Sequence, residues 1–243
     1  MRRFAALLLS VGTTAVLSAT PDLDEGRKRS DVGAMVHPDT PWRGGWREPV
    51  NPQGLCRFHY YRDKLTITLP GKDFGLDVHR GRLNAPRLLR TVRGDFLLQV
   101  RVAGTFRLAS DMDNPQTGYR AAGILLTDGK DFIRVQRAQH FEGDRKARHH
   151  YVTMELLGFK GGGYVENNGE PLDEPLSLRV ERRAGWVHTA FSKDGEKWLP
   201  FAGGPTGGVG MPQEIQVGVI AEATAPGEFR AEFDRFKLSP AQR

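Results

Sequence analysis

Between Gly123 and Ala138 apolar and polar residues alternate in two runs, Gly123–Thr127 and Phe132–Ala138, on either side of Asp128-Gly129. A period of two sends successive side chains to opposite faces of a sheet. Asp-Gly is a strong turn former, so the stretch predicts a β-hairpin. The same period recurs along the chain. Cys56–Arg62 and Leu65–Leu69 flank a predicted turn at Asp63-Lys64. Asp95–Ala103 places Phe96, Leu98, Val100 and Val102 on one face, with Leu97, Gln99 and Arg101 on the other. Tyr151–Leu157 turns Val152, Met154 and Leu156 inward and Tyr151, Thr153 and Glu155 outward. Leu176–Arg182, Trp186–Ser192, Ile215–Ala221 and Glu228–Leu238 complete the set, with further turns at Asn168-Gly169 and Lys193-Asp194-Gly195. No helical i, i+3, i+4, i+7 period is evident after the first twenty residues. About a dozen short strands with Gly-containing turns predict an all-β fold, a two-sheet antiparallel β-sandwich. Trp186 and Trp198 are assigned to its core, and Trp42 and Trp46 to its rim.

The 243 residues suit one sandwich domain, and 29 glycines and 15 prolines are spread along the chain as turns rather than gathered into linkers. The N-terminus differs. Met1-Arg2-Arg3, the apolar run Phe4–Leu17 and the small residues around Ala19 match a signal peptide over residues 1–20. That run is too short for the ~20 apolar residues of a spanning helix. Residues 21–44 read as an irregular segment and 45–239 as the domain. The expectation is a secreted or periplasmic protein with no membrane span after signal cleavage.

Charge changes the picture little. Removing Arg2 and Arg3 from the 35 basic residues leaves 33 against 29 acidic ones, net +4. The two signs are interleaved, with no basic stripe carrying aromatics, which argues against nucleic acid as a partner. Arg145–His150 reads as a solvated loop. Cys56, the only cysteine, excludes an internal disulfide and is expected to be a buried small hydrophobe.

The order of short motifs then adds a family resemblance. Asn51-Pro52-Gln53-Gly54-Leu55-Cys56 is followed by Leu83-Asn84-Ala85-Pro86-Arg87-Leu88-Leu89 and Gly94-Asp95-Phe96. Next come Tyr119, Ala122–Leu126, Asp131–Val135, Leu178–Arg182, Ser192–Trp198, Val217-Gly218-Val219 and Phe233–Phe236. As a collinear series over residues 45–239 these resemble the DUF1349 family of concanavalin A-like lectin/glucanase domains, similar to the accessory domain of some β-xylosidases. The resemblance implies a jelly-roll sandwich whose concave sheet holds a saccharide.

Several motifs bear on chemistry. Ser192–Trp198 resembles a sialidase Asp-box but is one residue short, and reads as a hairpin. Asp111-Met112-Asp113-Asn114 lacks the spacing of a calcium loop, and His140, His149 and His150 lack the carboxylates of a metal site. Hydrolysis of a glycoside needs two carboxylates ~5–9.5 Å apart. No E-x-D-x-x-E triplet occurs, and Glu155 with Glu181 is the one cross-strand pair open to that role. No catalytic residue, metal ligand or cofactor is therefore assigned. Sugars are held by stacking on flat rings and by planar hydrogen-bonding groups. The rows Gln99/Arg101, Arg134/Gln136, Tyr151/Thr153/Glu155 and Arg179/Glu181 offer such groups if they share one face. The candidate binding set is Tyr119, Arg134, Gln136, Tyr151 and Glu155, with Trp46 at the edge. The expected function is an exported, non-catalytic module binding an oligo- or polysaccharide. The alternatives are a glycan-acting hydrolase or lyase, and a cell-envelope protein-interaction module.

Overall fold

The computed structural model describes residues 46–71, 73–78, 81–106, 118–142, 147–159, 161–167, 174–201 and 210–241. The expected leader, the 21–44 segment, Trp42, the Asp111–Asn114 run and the Asn168-Gly169 turn lie outside them. Among the described residues no helix is long and apolar enough to cross a membrane.

Among the described residues, fifteen strands form the two-sheet antiparallel sandwich and a small third sheet. One layer has seven strands, in the order β1 (Arg57–Tyr61), β2 (Lys64–Leu69), β15 (Phe229–Pro240), β6 (Phe96–Gly104), β11 (Leu176–Arg183), β12 (Trp186–Ser192) and β13 (Leu199–Pro200). The other has six, in the order β10 (Gly161–Asn167), β9 (Ala147–Gly158), β8 (Phe132–Glu142), β7 (Gly118–Thr127), β14 (Glu214–Ala223) and β5 (Arg87–Arg93). Each strand end-to-end pairing is antiparallel. A two-stranded flap, β3 (Leu76–Asp77) with β4 (Arg82–Leu83), forms a separate small sheet.

The alternation read from sequence decides which residues meet between the layers. Leu65, Ile67, Leu98, Val100, Val102, Ile133, Val135, Val152, Leu178 and Val180 are buried in one continuous core. Burying such side chains stabilises by about 1.5–3 kcal/mol each before entropy is counted. Cys56 belongs to this core, and burial pushes its thiol up to about 12. Asn51 locks the turn before it: its side-chain amide donates to the Cys56 carbonyl at 2.7 Å and its Oδ1 accepts from the Cys56 amide at 3.2 Å.

The turns follow their sequence signals with small shifts. Tyr61 pairs with Lys64, so the first hairpin turns at Arg62-Asp63, one residue earlier than expected. Asp128 Oδ1 accepts the backbone N–H groups of Lys130 and Asp131, closing a four-residue loop with Gly129 at φ 102°. At Ser192–Trp198, Asp194 accepts the amides of Glu196 and Lys197, an ordinary side-chain-stabilised turn.

Three expectations are corrected here. Trp186 is 48% exposed, because the inward positions of β12 are taken by Val187, Thr189 and Phe191. Trp198 is half-buried on the outer surface, with the Arg179 guanidinium 5.6 Å from its ring centroid. The polar rows also do not form one surface. Gln99/Arg101 and Arg179/Glu181 belong to the seven-stranded layer, whereas Arg134/Gln136 and Tyr151/Thr153/Glu155 belong to the six-stranded one. Glu155 and Glu181 thus sit on different sheets, paired with Arg134 and Arg179 respectively, and cannot flank one bond.

Candidate functional site

The outer face of the six-stranded layer is ordered in cross-strand rows. One row runs Leu125, Arg134, Glu155, Tyr164; the next has Gln136 opposite Thr153; the third runs Glu222, Ala121, Ala138, Tyr151; the fourth sets Tyr119 opposite His140. The flap covers one end of this face. Leu76 and Ala85 pack there with Leu89, Leu125, Phe132 and Ile220, a second apolar cluster outside the inter-sheet core. β7 is consequently buried on both faces, which is why it reads as the apolar run AAGILL.

A cleft of about 610 Å³ remains beside the flap. Asp73, Gly75, Asp77 and Arg82 form one wall, and Tyr164 on the edge strand β10 contributes to the other side. Its floor is hollow because Gly118, Ala121 and Ala138 have little or no side chain, while Tyr119 and Tyr151 rise around them. The wall is held by residues of the Leu83–Leu89 motif. Asn84 accepts from the Gly75 amide and donates to the Asp73 carbonyl, and Arg87 donates to the carbonyls of Leu83 and Ala85.

Glu222 is the hub beneath the cleft and is fully buried. Its Oε1 accepts from the Leu76 backbone N–H at 2.6 Å, the Tyr119 hydroxyl at 3.0 Å and Arg134 Nη1 at 2.9 Å. Its Oε2 accepts from Arg134 Nη1 at 2.8 Å and from the Gln136 amide. Arg134 also donates to the Leu76 carbonyl and to Glu155. Burial alone works against the Arg134 charge, but Glu222, Tyr119 and Glu155 hold the guanidinium above its ordinary pKa. The phenols move the same way for a different cause. Burial, then the Glu222 charge, holds Tyr119 well above the usual value, and burial with the nearby Glu166 carboxylate pushes Tyr151 up to about 12. Burial and a hydrogen bond to Glu166 raise Tyr164 as well. All three are neutral hydroxyls at ordinary pH.

The structure brings Tyr119, Arg134, Gln136 and Tyr151 together on this cleft, with Glu155 behind Arg134. Trp46 is elsewhere. It bridges to Arg90 on β5 and packs 5.0 Å from the Phe236 ring, at the opposite edge of the layer from β10. An aromatic ring that completes the core has no face left for the cleft. His140 lines the cleft, His149 is exposed, and His150 contacts Gln139. Sequence reasoning missed Glu222, Tyr164, Asp73, Asp77 and Arg82. Only Glu222 left a signal: a carboxylate inside the apolar strand GVIAEA needs a buried partner.

No family model and no curated protein matches the chain in sequence. Its fold does match solved structures. A functionally unknown protein from Saccharomyces cerevisiae superposes with a TM-score of 0.58 at 19% identity, covering 76% of this chain and 92% of that one. A mutant of the GH43 protein BlXynB from Bacillus licheniformis gives 0.53 at 14% identity, over 72% of this chain but 33% of that one. An alginate lyase from Klebsiella pneumoniae gives 0.49 at 9% identity, with 73% and 81% covered. The chain thus spans about a third of the GH43 protein's length. At these identities the likeness is one of fold, an antiparallel two-sheet β-sandwich.

Proposed function

We propose that this protein is an exported, non-catalytic saccharide-binding module of the DUF1349 kind, and that its ligand lies in the cleft beside the flap. The observation that carries this reading is the cleft's composition. Tyrosine rings stand around a floor of glycine and alanine, and a few fixed polar groups converge on it. That is the combination a sugar ring needs, C–H faces on flat rings and hydroxyls on planar partners. The volume falls within the ~300–1,000 Å³ of small-ligand sites.

Binding without turnover is favoured by how the polar groups are spent. Glu222 has no exposed surface and Glu155 shares Arg134 with it, so neither is a free carboxylate for hydrolysis. The tyrosines are held neutral, as suits hydrogen bonding rather than proton abstraction. A glycan array with the wild-type protein and a Tyr151→Ala variant tests the proposal. Saturable binding that the variant loses, with no cleaved product by mass spectrometry, is the expected result. Product released by wild type would convert the reading to a glycan-acting enzyme. Silence across the array would leave the saccharide reading without support.

A further inference from the structure

We propose that the outer face of the seven-stranded layer carries a second ligand site, a groove beside β12 that takes an acidic polysaccharide chain. This site is distinct from the cleft beside the flap and stands independently of the reading given to that cleft.

Trp186, His188 and Ala190 alternate onto one face of β12, opposite in parity to the core residues Val187 and Phe191. The register sets Arg183, Glu181 and Arg179 of β11 beside them on the same face. Ala190 has little side chain and Pro200 flanks it on β13, so a groove of about 310 Å³ opens there, with Trp198 in its wall. Trp186 stands four residues along β12, about 13 Å from Ala190 at ~3.3 Å per residue. It is 48% exposed and belongs to no apolar cluster among the described residues. A groove with an aromatic ring toward each end suits a run of sugars, whose C–H faces stack on flat rings.

The unengaged polar groups of this groove are basic. Arg179 is committed: its guanidinium lies 5.6 Å from the Trp198 ring centroid, and its Nη2 donates to Glu181 Oε2 at 3.0 Å. That pair occupies the one carboxylate lining the groove. The side chains of Arg183 and His188 are exposed and have no hydrogen bond or ion pair among the described residues. Asp95 reaches the turn after β11, where it accepts from the Ala184 amide. Exposed Glu196 and Lys197 offset each other in the turn before β13. The lining itself keeps two arginines and a histidine against one glutamate. An unengaged guanidinium matches two oxygens of a carboxylate or sulfate through its planar fork. A peptide adding a strand is disfavoured, because β13 has two residues and Pro200 has no N–H to donate.

The test is calorimetric titration of the wild-type protein, Tyr151→Ala, and a double variant, Trp186→Ser with Arg183→Ala. The probes are oligogalacturonate and oligoglucuronate, a sulfated galacto-oligosaccharide, a neutral β-1,4-galacto-oligosaccharide of equal length and a single-stranded oligonucleotide. The carboxylate and sulfate arms tell which acid the groove prefers. At least one acidic chain should bind about tenfold better than the neutral one at low salt, and by less when salt screens the attraction. The double variant should lose about tenfold or more of that affinity, while Tyr151→Ala keeps it. Both substituted positions are exposed, so an unchanged melting temperature should accompany the loss. Acidic binding lost in Tyr151→Ala but kept in the double variant would overturn this inference and leave the cleft reading standing. So would neutral binding as tight as acidic, an oligonucleotide bound best, or no acidic chain bound at all.

Discussion

Arg134 Nη1 lies 2.9 and 2.8 Å from the two carboxylate oxygens of Glu222, and this contact joins three elements: β8, β14 and, through Leu76, the flap. The carboxylate has no exposure to water, so its stability depends on those donors. Glu222→Gln keeps the shape but removes the charge that Arg134 faces. Removing one partner of a buried pair typically costs about 3–5 kcal/mol, and here Glu155 retains part of the pairing, so a loss of about 3 kcal/mol is expected in urea denaturation. A loss below about 1 kcal/mol would mean that the pair contributes little beyond what a neutral amide supplies.

The raised phenols predict an alkaline limit. Tyr60 and Tyr151 are pushed up to about 12 by burial, and Tyr119 and Tyr164 are raised as well. The unfolded chain ionises these groups near pH 10, while the folded chain keeps them protonated. Their contribution to stability is therefore complete below about pH 10 and lost as pH climbs toward about 12. Absorbance at 295 nm should show four of the five tyrosines titrating late and together with unfolding. A full five-tyrosine titration near pH 10 with the fold intact would contradict the buried hydroxyls.

Gly123 sits on β7 opposite Gln136, where a Cβ would fall 1.9 Å from the Val135 carbonyl oxygen and 2.7 Å from Gln136 Cα. Both are backbone atoms of the neighbouring strand and cannot rotate away. Gly123→Ala should therefore destabilise by about 1–3 kcal/mol or more through overpacking, and should weaken ligand binding by displacing Gln136. A variant with unchanged melting temperature would show that the strands part there without cost.

The fold was legible because its core is written in period two, strand by strand, and an antiparallel layer with one buried face repeats that period. The same alternation put Arg134, Gln136, Tyr151 and Glu155 on one face, since cross-strand neighbours follow from parity alone. Two things were not legible. Parity does not say which sheet a strand joins, so it leaves open whether Arg179/Glu181 and Gln99/Arg101 share the face of Arg134 and Gln136, and they do not. Nor does it foresee a flap: Asp73, Asp77 and Arg82 reach the cleft because the chain between β2 and β5 folds back over β14 and β7, a tertiary choice set by Leu76 and Ala85. Trp46 shows the complementary limit, because an aromatic ahead of the first strand suits a rim or a core equally until its neighbours are known.

Trp186 gives a sharp test of the β12 register. It pairs with Arg183 on the outer face and is 48% exposed, whereas Phe191 on the same strand is 1% exposed and stacks edge-on with Phe201 at 5.4 Å. Hydrophobicity alone ranks the two alike, but burial separates them. Trp186→Ser should change stability by no more than about 0.5 kcal/mol, the range of ordinary surface substitutions. Phe191→Ala should cost about 3–5 kcal/mol, as the inter-sheet core cannot close over the lost ring. Parallel urea titrations of both variants read the difference directly. If Trp186→Ser proved the more damaging, the inward and outward faces of β12 would have to be exchanged, and with them the positions of Val187 and Thr189.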